Sequence, residues 1–363
     1  MTPQRVLMTA DAVGGVWTYA LELARGLAEQ GTAVLLAVIG PEPDADRRAE
    51  AAAIDGLMLE VAGLDLEWRD RPGPLDTAAR ERLLALERDF RPDIVHCNGF
   101  REAAAGFQAP VLVVAHSCVS TWWQACRGEP MPASWQAYAQ GVREGLDAAG
   151  AVVAPTKAFL AAFRVAWGEV RRPMVVRNGL DLAPIAPQRR RPIVLAAGRL
   201  WDEAKNLRAL AAIADGLPWP VLVAGEPPRE RVEGSVQLLG HLPRAQLREL
   251  MAEAAIFAAP ARYEPFGLAI LEAATAGCAL VLGRQPSLLE LWGDAARFVP
   301  AEDPAALRAT LLDLIEDQAA LARLQEAATA QARRYGRATM VEGYRRAYAA
   351  VLADHRPSEK HAA

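Results

Sequence analysis

Two carboxylates eight positions apart, Glu264 and Glu272, bracket the run Pro265-Phe266-Gly267-Leu268-Ala269-Ile270-Leu271. Ionised carboxylates accept hydrogen bonds, so a pair held at fixed spacing suits a ligand rich in hydroxyls, such as a sugar or a ribose. Pro265 fixes φ, Gly267 permits a tight turn and residues 268–276 are good helix formers, so a helix is expected to begin just after Glu264. The N–H groups of Phe266, Gly267 and Leu268 would then point, with the positive end of the helix dipole, at a site for an anion. A phosphate between two carboxylates is costly unless hydroxyl-bearing groups lie on either side of it. The plainer alternative is a buried helix whose two glutamates are capping or solvated.

Elements able to hold such a site recur along the chain. Residues 6–8 form a short apolar run, followed by Asp11-Ala12-Val13-Gly14-Gly15 and an amphipathic run over 20–30 that stops at Gly31. That is the pattern of strand, glycine turn and helix. Further apolar runs at 32–40, 54–59, 92–96, 111–115 and 151–154, with amphipathic stretches between them, predict a parallel sheet with ligands at the carboxyl ends of its strands. His96 and His116 fall at two of those ends. Residues 120–138 gather Trp122, Trp123, Trp135 and Tyr138, aromatics that could stack on a flat acceptor, face a lipid surface, or simply pack. Trp17, beside the glycine turn, could likewise be a sugar platform or core. A second series of runs at 193–197, 220–224, 236–240, 256–260 and 279–283 predicts a second sheet.

At 363 residues the chain exceeds one ordinary core. Hydrophobic residues at 52% and charged residues at 23% describe a globular protein, and a net charge of −4 with a pI near 5.9 disfavours nucleic acid as partner. The first residues read as a strand, not a signal peptide, and no apolar run has the length of a membrane span. The four cysteines form no Cys-x-x-Cys pair, so neither zinc nor a disulfide framework is indicated and a reduced, cytoplasmic setting is expected.

The run from Glu264 to Ala273 resembles the Glu-x7-Glu signature, E-P-F-G-L-x-x-L-E-A, of the retaining nucleotide-sugar glycosyltransferases of family four. Other stretches resemble that family in the same order. Gly14-Gly15 is similar to its N-terminal glycine loop, and Val175-Val176-Arg177-Asn178-Gly179-Leu180-Asp181 to its V-I-P-N-G-V-D segment, with Arg177 in place of proline. Gly198-Arg199-Leu200, followed by Lys205-Asn206-Leu207, is similar to its G-R-L-x-x-x-K-N-L segment, with one extra residue before the lysine.

The resemblance implies an α/β fold of two Rossmann-like domains facing across a cleft, the GT-B arrangement. The N-terminal, acceptor-binding domain is expected over 1–186 and the nucleotide-sugar domain over 187–336. A helix over 337–356 returns to the first domain, and a loose tail covers 357–363. The basic, proline-rich stretch 184–192 reads as the linker.

The resemblance also assigns roles. Glu264 contacts the donor sugar, Phe266, Gly267 and Leu268 hold the distal phosphate, Glu272 takes the ribose hydroxyls, and Gly14 and Gly15 approach the donor. Arg199 and Lys205 face the diphosphate, a planar fork and a point charge able to stabilise a leaving group that becomes more negative as its bond breaks. His116, with Trp17, Trp122 and Trp123, stands on the acceptor side, and His96 supports it. Catalysis is thereby laid on His116, Glu264, Arg199 and Lys205.

The reaction implied is transfer of a sugar from a nucleotide-diphosphate donor with retention of configuration. It uses no metal and no resident cofactor, the nucleotide sugar being a co-substrate. The acceptor stays open among a saccharide, a lipid-linked molecule and a small molecule, with room for peripheral contact with the inner face of a membrane. The rival readings are a nucleotide-sugar epimerase of the same fold and a non-catalytic nucleotide-sugar-binding descendant. A nicotinamide oxidoreductase is disfavoured, because the Gly-x-Gly-x-x-Gly fingerprint is missing.

Overall fold

The computed structural model describes residues 3–69, 73, 75–181, 190–226 and 234–355. The chain divides into two compact units, one of Met1–Thr121, Pro130–Gly179 and Arg337–Ala363, the other of Trp122–Glu129 and Leu180–Gly336. The domain boundary expected at 186–187 and the tail over 357–363 lie outside the described residues.

The first unit is built on seven parallel strands: β1 (Arg5–Asp11), β2 (Ala33–Ile39), β3 (Leu57–Val61), β4 (Ile94–Cys97), β5 (Val111–Val114), β6 (Ala151–Ala154) and β7 (Pro173–Val175). Their order across the sheet is β3-β2-β1-β4-β5-β6-β7. The order reverses between β1 and β4, and in an open parallel sheet the crevice beyond the strand ends at such a reversal is where ligands bind. Strands β4, β5 and β6 are buried along their whole length, which is why they read as continuous apolar runs and not as alternating ones. The last helix, Arg337–His355, belongs to this unit, and its Tyr344 and Tyr348 are completely buried. Arg337 at its start pairs with Glu22 at 3.4 Å and Glu29 at 3.1 Å.

The second unit holds six parallel strands, β8 (Arg191–Ala197), β9 (Val221–Ala224), β10 (Gln237–Gly240), β11 (Ala254–Ala259), β12 (Ala279–Gly283) and β13 (Arg297–Val299). Their order is β10-β9-β8-β11-β12-β13, with the reversal between β8 and β11. The strand period of two sorts its core onto two faces. Ile193, Leu195, Phe257, Leu280 and Leu282 join one hydrophobic cluster, and Val194, Ala196, Ile256, Ala258 and Val281 join the other.

Two expectations need correction. Arg191 and Pro192, read as linker, open β8, and the Arg190 guanidinium is not a solvated linker charge. It donates to the carbonyls of Ala252, Ala254 and Ala276, satisfying backbone acceptors at the ends of neighbouring elements. The helix expected just after Glu264 spans Leu268–Thr275 instead. Gly267 sits at φ +87°, outside helical space, so residues 265–267 form a turn before the helix starts.

Candidate active site

In the second unit the loops leaving β8 and β11 run side by side, because those strands meet at the reversal of the sheet. Asn206 fixes their spacing: its Nδ2 donates to Pro260 O at 2.9 Å and to Ala301 O at 2.8 Å. Asn206 is left-handed, at φ +55°, a conformation asparagine tolerates better than most residues. The backbone N–H of Arg262 donates to Ala204 O at 2.8 Å, and the Arg262 guanidinium reaches Glu203 at 3.1 Å. The outcome of this bracing is a contact between the two candidate groups. Lys205 Nζ lies 2.5 Å from Glu264 Oε2, with both side chains largely enclosed.

Arg199 is held on the same loop. Its Nη2 is 3.2 Å from Asp202 Oδ2, and its guanidinium lies 5.5 Å from the centre of the Trp201 ring. Asp202 is buried and acts as a hub. Its Oδ1 accepts from the backbone N–H of Ala204 at 3.0 Å and from Trp122 Nε1 at 2.9 Å, residue 122 counting with the second unit. A carboxylate with several donors is well satisfied and rigid, so it sets the direction of the arginine fork.

Glu272 lies within the helix Leu268–Thr275 and is nearly buried, and Arg244 Nε donates to its Oε1 at 3.1 Å. Phe266 is buried against Tyr335, with ring centres 5.9 Å apart, which anchors the turn between the two glutamates. Arg199, Lys205, Glu264, Phe266, Gly267, Leu268 and Glu272 thus all belong to one unit, on the loops leaving its two central strands and on the helix that follows the second. Each motif carboxylate has a cation beside it, from a different element in each case.

In the first unit Gly14 caps the helix Gly15–Ala28 without any side-chain cap bond, and Gly15 is exposed. The orphan N–H groups of that helix start are therefore presented from backbone alone. Trp17, three residues on, is 3% exposed and its Nε1 donates to Glu50 at 3.1 Å. The sequence leaves Trp17 open between sugar platform and core, and its side chain is buried on the helix Gly15–Ala28. Trp122 and Trp123 are half-buried and meet edge to face at 5.7 Å, with Arg127 lying 5.5 Å from the Trp123 ring centre.

The two histidines share one partner that sequence reasoning passed over. Asn98 Nδ2 donates to Thr9 O at 2.7 Å, which turns Oδ1 toward His116 Nε2 at 2.8 Å and His96 Nε2 at 3.1 Å. An amide oxygen only accepts, so His116 carries its proton on Nε2 and leaves Nδ1 as its basic nitrogen. Tyr348 OH lies 2.7 Å from His96 Nδ1, and Tyr19 packs against His116 with ring centres 4.4 Å apart. His96 is fully buried inside this network and acts as a structural support.

Burial pushes the pKa of both histidines down to about 3, for His116 with a further contribution from His96. Burial also pushes the Glu67 carboxyl up to about 8, reinforced by the neighbouring Glu102. The folded His116 pKa lies below its unfolded value, so the folded chain declines a proton that the unfolded chain accepts. Its contribution to stability is whole above about pH 6.5 and is lost as pH falls from there toward 3. Wild type is therefore expected to lose stability relative to His116→Gln between pH 7 and pH 5, read as the difference in urea midpoints. An unchanged difference would mean that His116 titrates normally.

Among the described residues no three His, Cys, Asp or Glu side chains gather as a metal-binding group, and no helix is long and apolar enough to cross a membrane.

Residues 13–184 match the family described as Glycosyltransferase Family 4, and residues 191–317 match Glycosyl transferases group 1. A glycogen synthase of Mycobacterium tuberculosis (strain CDC 1551 / Oshkosh) is 28% identical, over 87% of this chain and 86% of that one. Among solved structures, sucrose-phosphate synthase from Thermosynechococcus elongatus superposes with a TM-score of 0.79 at 18% identity, covering 97% of this chain and all (100%) of that one. HepE from Anabaena, solved in complex with UDP-glucose, gives a TM-score of 0.74 at 18% identity, covering 96% and 99%. Two parallel α/β sheets in this layout define a GT-B chain. Matched in both halves by glycosyltransferase families, the protein is a glycosyltransferase of the family-four type.

Proposed function

We propose that this glycosyltransferase is metal-independent and moves a hexosyl group from a nucleotide-diphosphate sugar to its acceptor with retention of anomeric configuration. The observation that carries the reading is the pairing of Lys205 with Glu264 beside Arg199, on two loops braced by Asn206 and Asp202. When the glycosidic bond of the donor breaks, its electron pair passes to the β-phosphate oxygen. Lys205 and Arg199 supply fixed positive charge where that negative charge grows, the part a metal ion plays elsewhere. Glu264 then faces the sugar hydroxyls and Glu272 the ribose, while the backbone N–H groups of Phe266, Gly267 and Leu268 take the distal phosphate. Gly14 and Gly15 offer backbone donors to an anionic group of a substrate. His116 receives the acceptor hydroxyl, and Trp122 and Trp123 offer aromatic surface to the acceptor. The complex of HepE with UDP-glucose supports a donor of this kind, and the name of the mycobacterial relative supports a hexosyl unit.

The test uses water as acceptor. Donor panels of UDP-glucose, ADP-glucose, dTDP-glucose and GDP-mannose are incubated with excess EDTA, and release of nucleoside diphosphate is followed. The anomer of the freed sugar is read by NMR before it equilibrates. The expected result is release from one donor, unaffected by EDTA, with the configuration kept. Loss of release in EDTA would overturn metal independence, and an inverted product would overturn retention.

A further inference from the structure

We propose that Arg244 is the positioning residue for Glu272 and, through it, sets the preference for a ribose over a deoxyribose in the donor nucleotide. The inference rests on the nucleotide-sugar reading above. Arg244 is the first residue of the helix Arg244–Glu253, where a cation meets the positive end of the helix dipole. Its presence there does not serve the helix. What it does serve is a carboxylate on a neighbouring helix: Arg244 Nε donates to Glu272 Oε1 at 3.1 Å, with the two side chains 30% and 11% exposed.

A nearly buried carboxylate on a helix has several rotamers open to it, and a directional guanidinium N–H selects one. A carboxylate carries about four lone-pair sites, so one bond from arginine orients it without exhausting its capacity to accept from hydroxyls. Two vicinal ribose hydroxyls demand a carboxylate held in one orientation; a single hydroxyl demands less. Arg244 therefore acts on the nucleotide only where Glu272 and both hydroxyls are present. The same pairing keeps an enclosed negative charge compensated before the donor arrives.

The experiment measures dissociation constants by calorimetry for UDP, ADP and GDP, each beside its 2′-deoxy counterpart, with wild type, Arg244→Ala, Arg244→Lys, Glu272→Gln and the double variant Arg244→Ala/Glu272→Gln. Wild type is expected to favour one ribonucleotide over its deoxy form by about tenfold, the worth of one hydrogen bond to a charged group. Arg244→Ala is expected to lose most of that preference by weakening the ribonucleotide alone, Arg244→Lys to keep part of it, and Arg244→Ala to add nothing in the Glu272→Gln background. Equal weakening of ribo and deoxy forms, or a full effect of Arg244→Ala in the Glu272→Gln background, would overturn the proposal. So would an unchanged preference in Arg244→Ala. Absence of binding by wild type to every nucleotide would instead overturn the donor reading on which the proposal stands. Thermal melting of Arg244→Lys, which retains the charge, separates loss of orientation from loss of fold.

Discussion

Lys205→Ala is expected to lower donor turnover by about a hundredfold to a thousandfold, the usual consequence of removing one fixed donor aimed at developing negative charge. Lys205 is more enclosed than Arg199, its side chain 25% exposed against 39%, so its field is the less screened of the two. The substitution also leaves Glu264, 14% exposed, without the ammonium 2.5 Å away. A bare carboxylate facing a diphosphate repels it, so affinity for the nucleotide is expected to fall together with turnover. Lys205→Arg keeps the charge but replaces a point by a planar fork, and should recover only part of the rate. Steady-state release of nucleoside diphosphate from the donor identified above checks this. Turnover within twofold of wild type would remove Lys205 from the mechanism.

Gly225→Ala is expected to cost about 3 kcal/mol or more of stability, the range for strained or overpacked backbone, and to impair donor binding with it. Gly225 follows β9, sits at φ +144° and donates its N–H to Gly240 O at 2.8 Å. A Cβ there would lie 1.9 Å from the carbonyl oxygen of Gly198, the residue before Arg199. Backbone cannot move aside as a flexible side chain would, so the loop with Arg199 and Lys205 must shift. Equilibrium urea denaturation of the full chain gives the stability change, and nucleotide titration gives the effect on the site. A loss of less than about 0.5 kcal/mol, the level of an ordinary surface change, would show that the loop is not pinned by this contact.

Much of this architecture is legible in the sequence because buried parallel strands are continuous apolar runs. Runs such as 111–115, 151–154 and 279–283 are cut off by a polar residue, a proline or a glycine at their carboxyl ends. The candidate cations and carboxylates follow the runs 193–197 and 256–260, and strand order then makes neighbours of Lys205 and Glu264 across 59 residues. That order itself is not written in periodicity. Neither β8 nor β11 carries a local mark of lying at the reversal of the sheet.

Other features escape for similar reasons. β13 has three residues, Arg297-Phe298-Val299, too few for any pattern to appear. Arg244 and Glu272 meet across two helices, and Asp202 gathers its donors from a loop and from Trp122; a pattern along one segment says which face is apolar but not which partner a polar side chain finds. Asn98 was within reach, two positions after His96, yet an asparagine signals turns as often as networks. The place of Trp17 beside Gly14-Gly15 is compatible with a platform or with core, and it is the helical period that carries it inward.

The central claim is that the loops leaving β8 and β11 form a nucleoside diphosphate site. The most direct measurement is calorimetric titration of wild type and Lys205→Ala with UDP, GDP, ADP and dTDP in buffer containing EDTA. The account predicts saturable binding of one nucleotide by wild type, weakened at least about tenfold in Lys205→Ala, as loss of one charge-assisted contact implies. Binding of none of the four, or equal binding by both proteins, would contradict it.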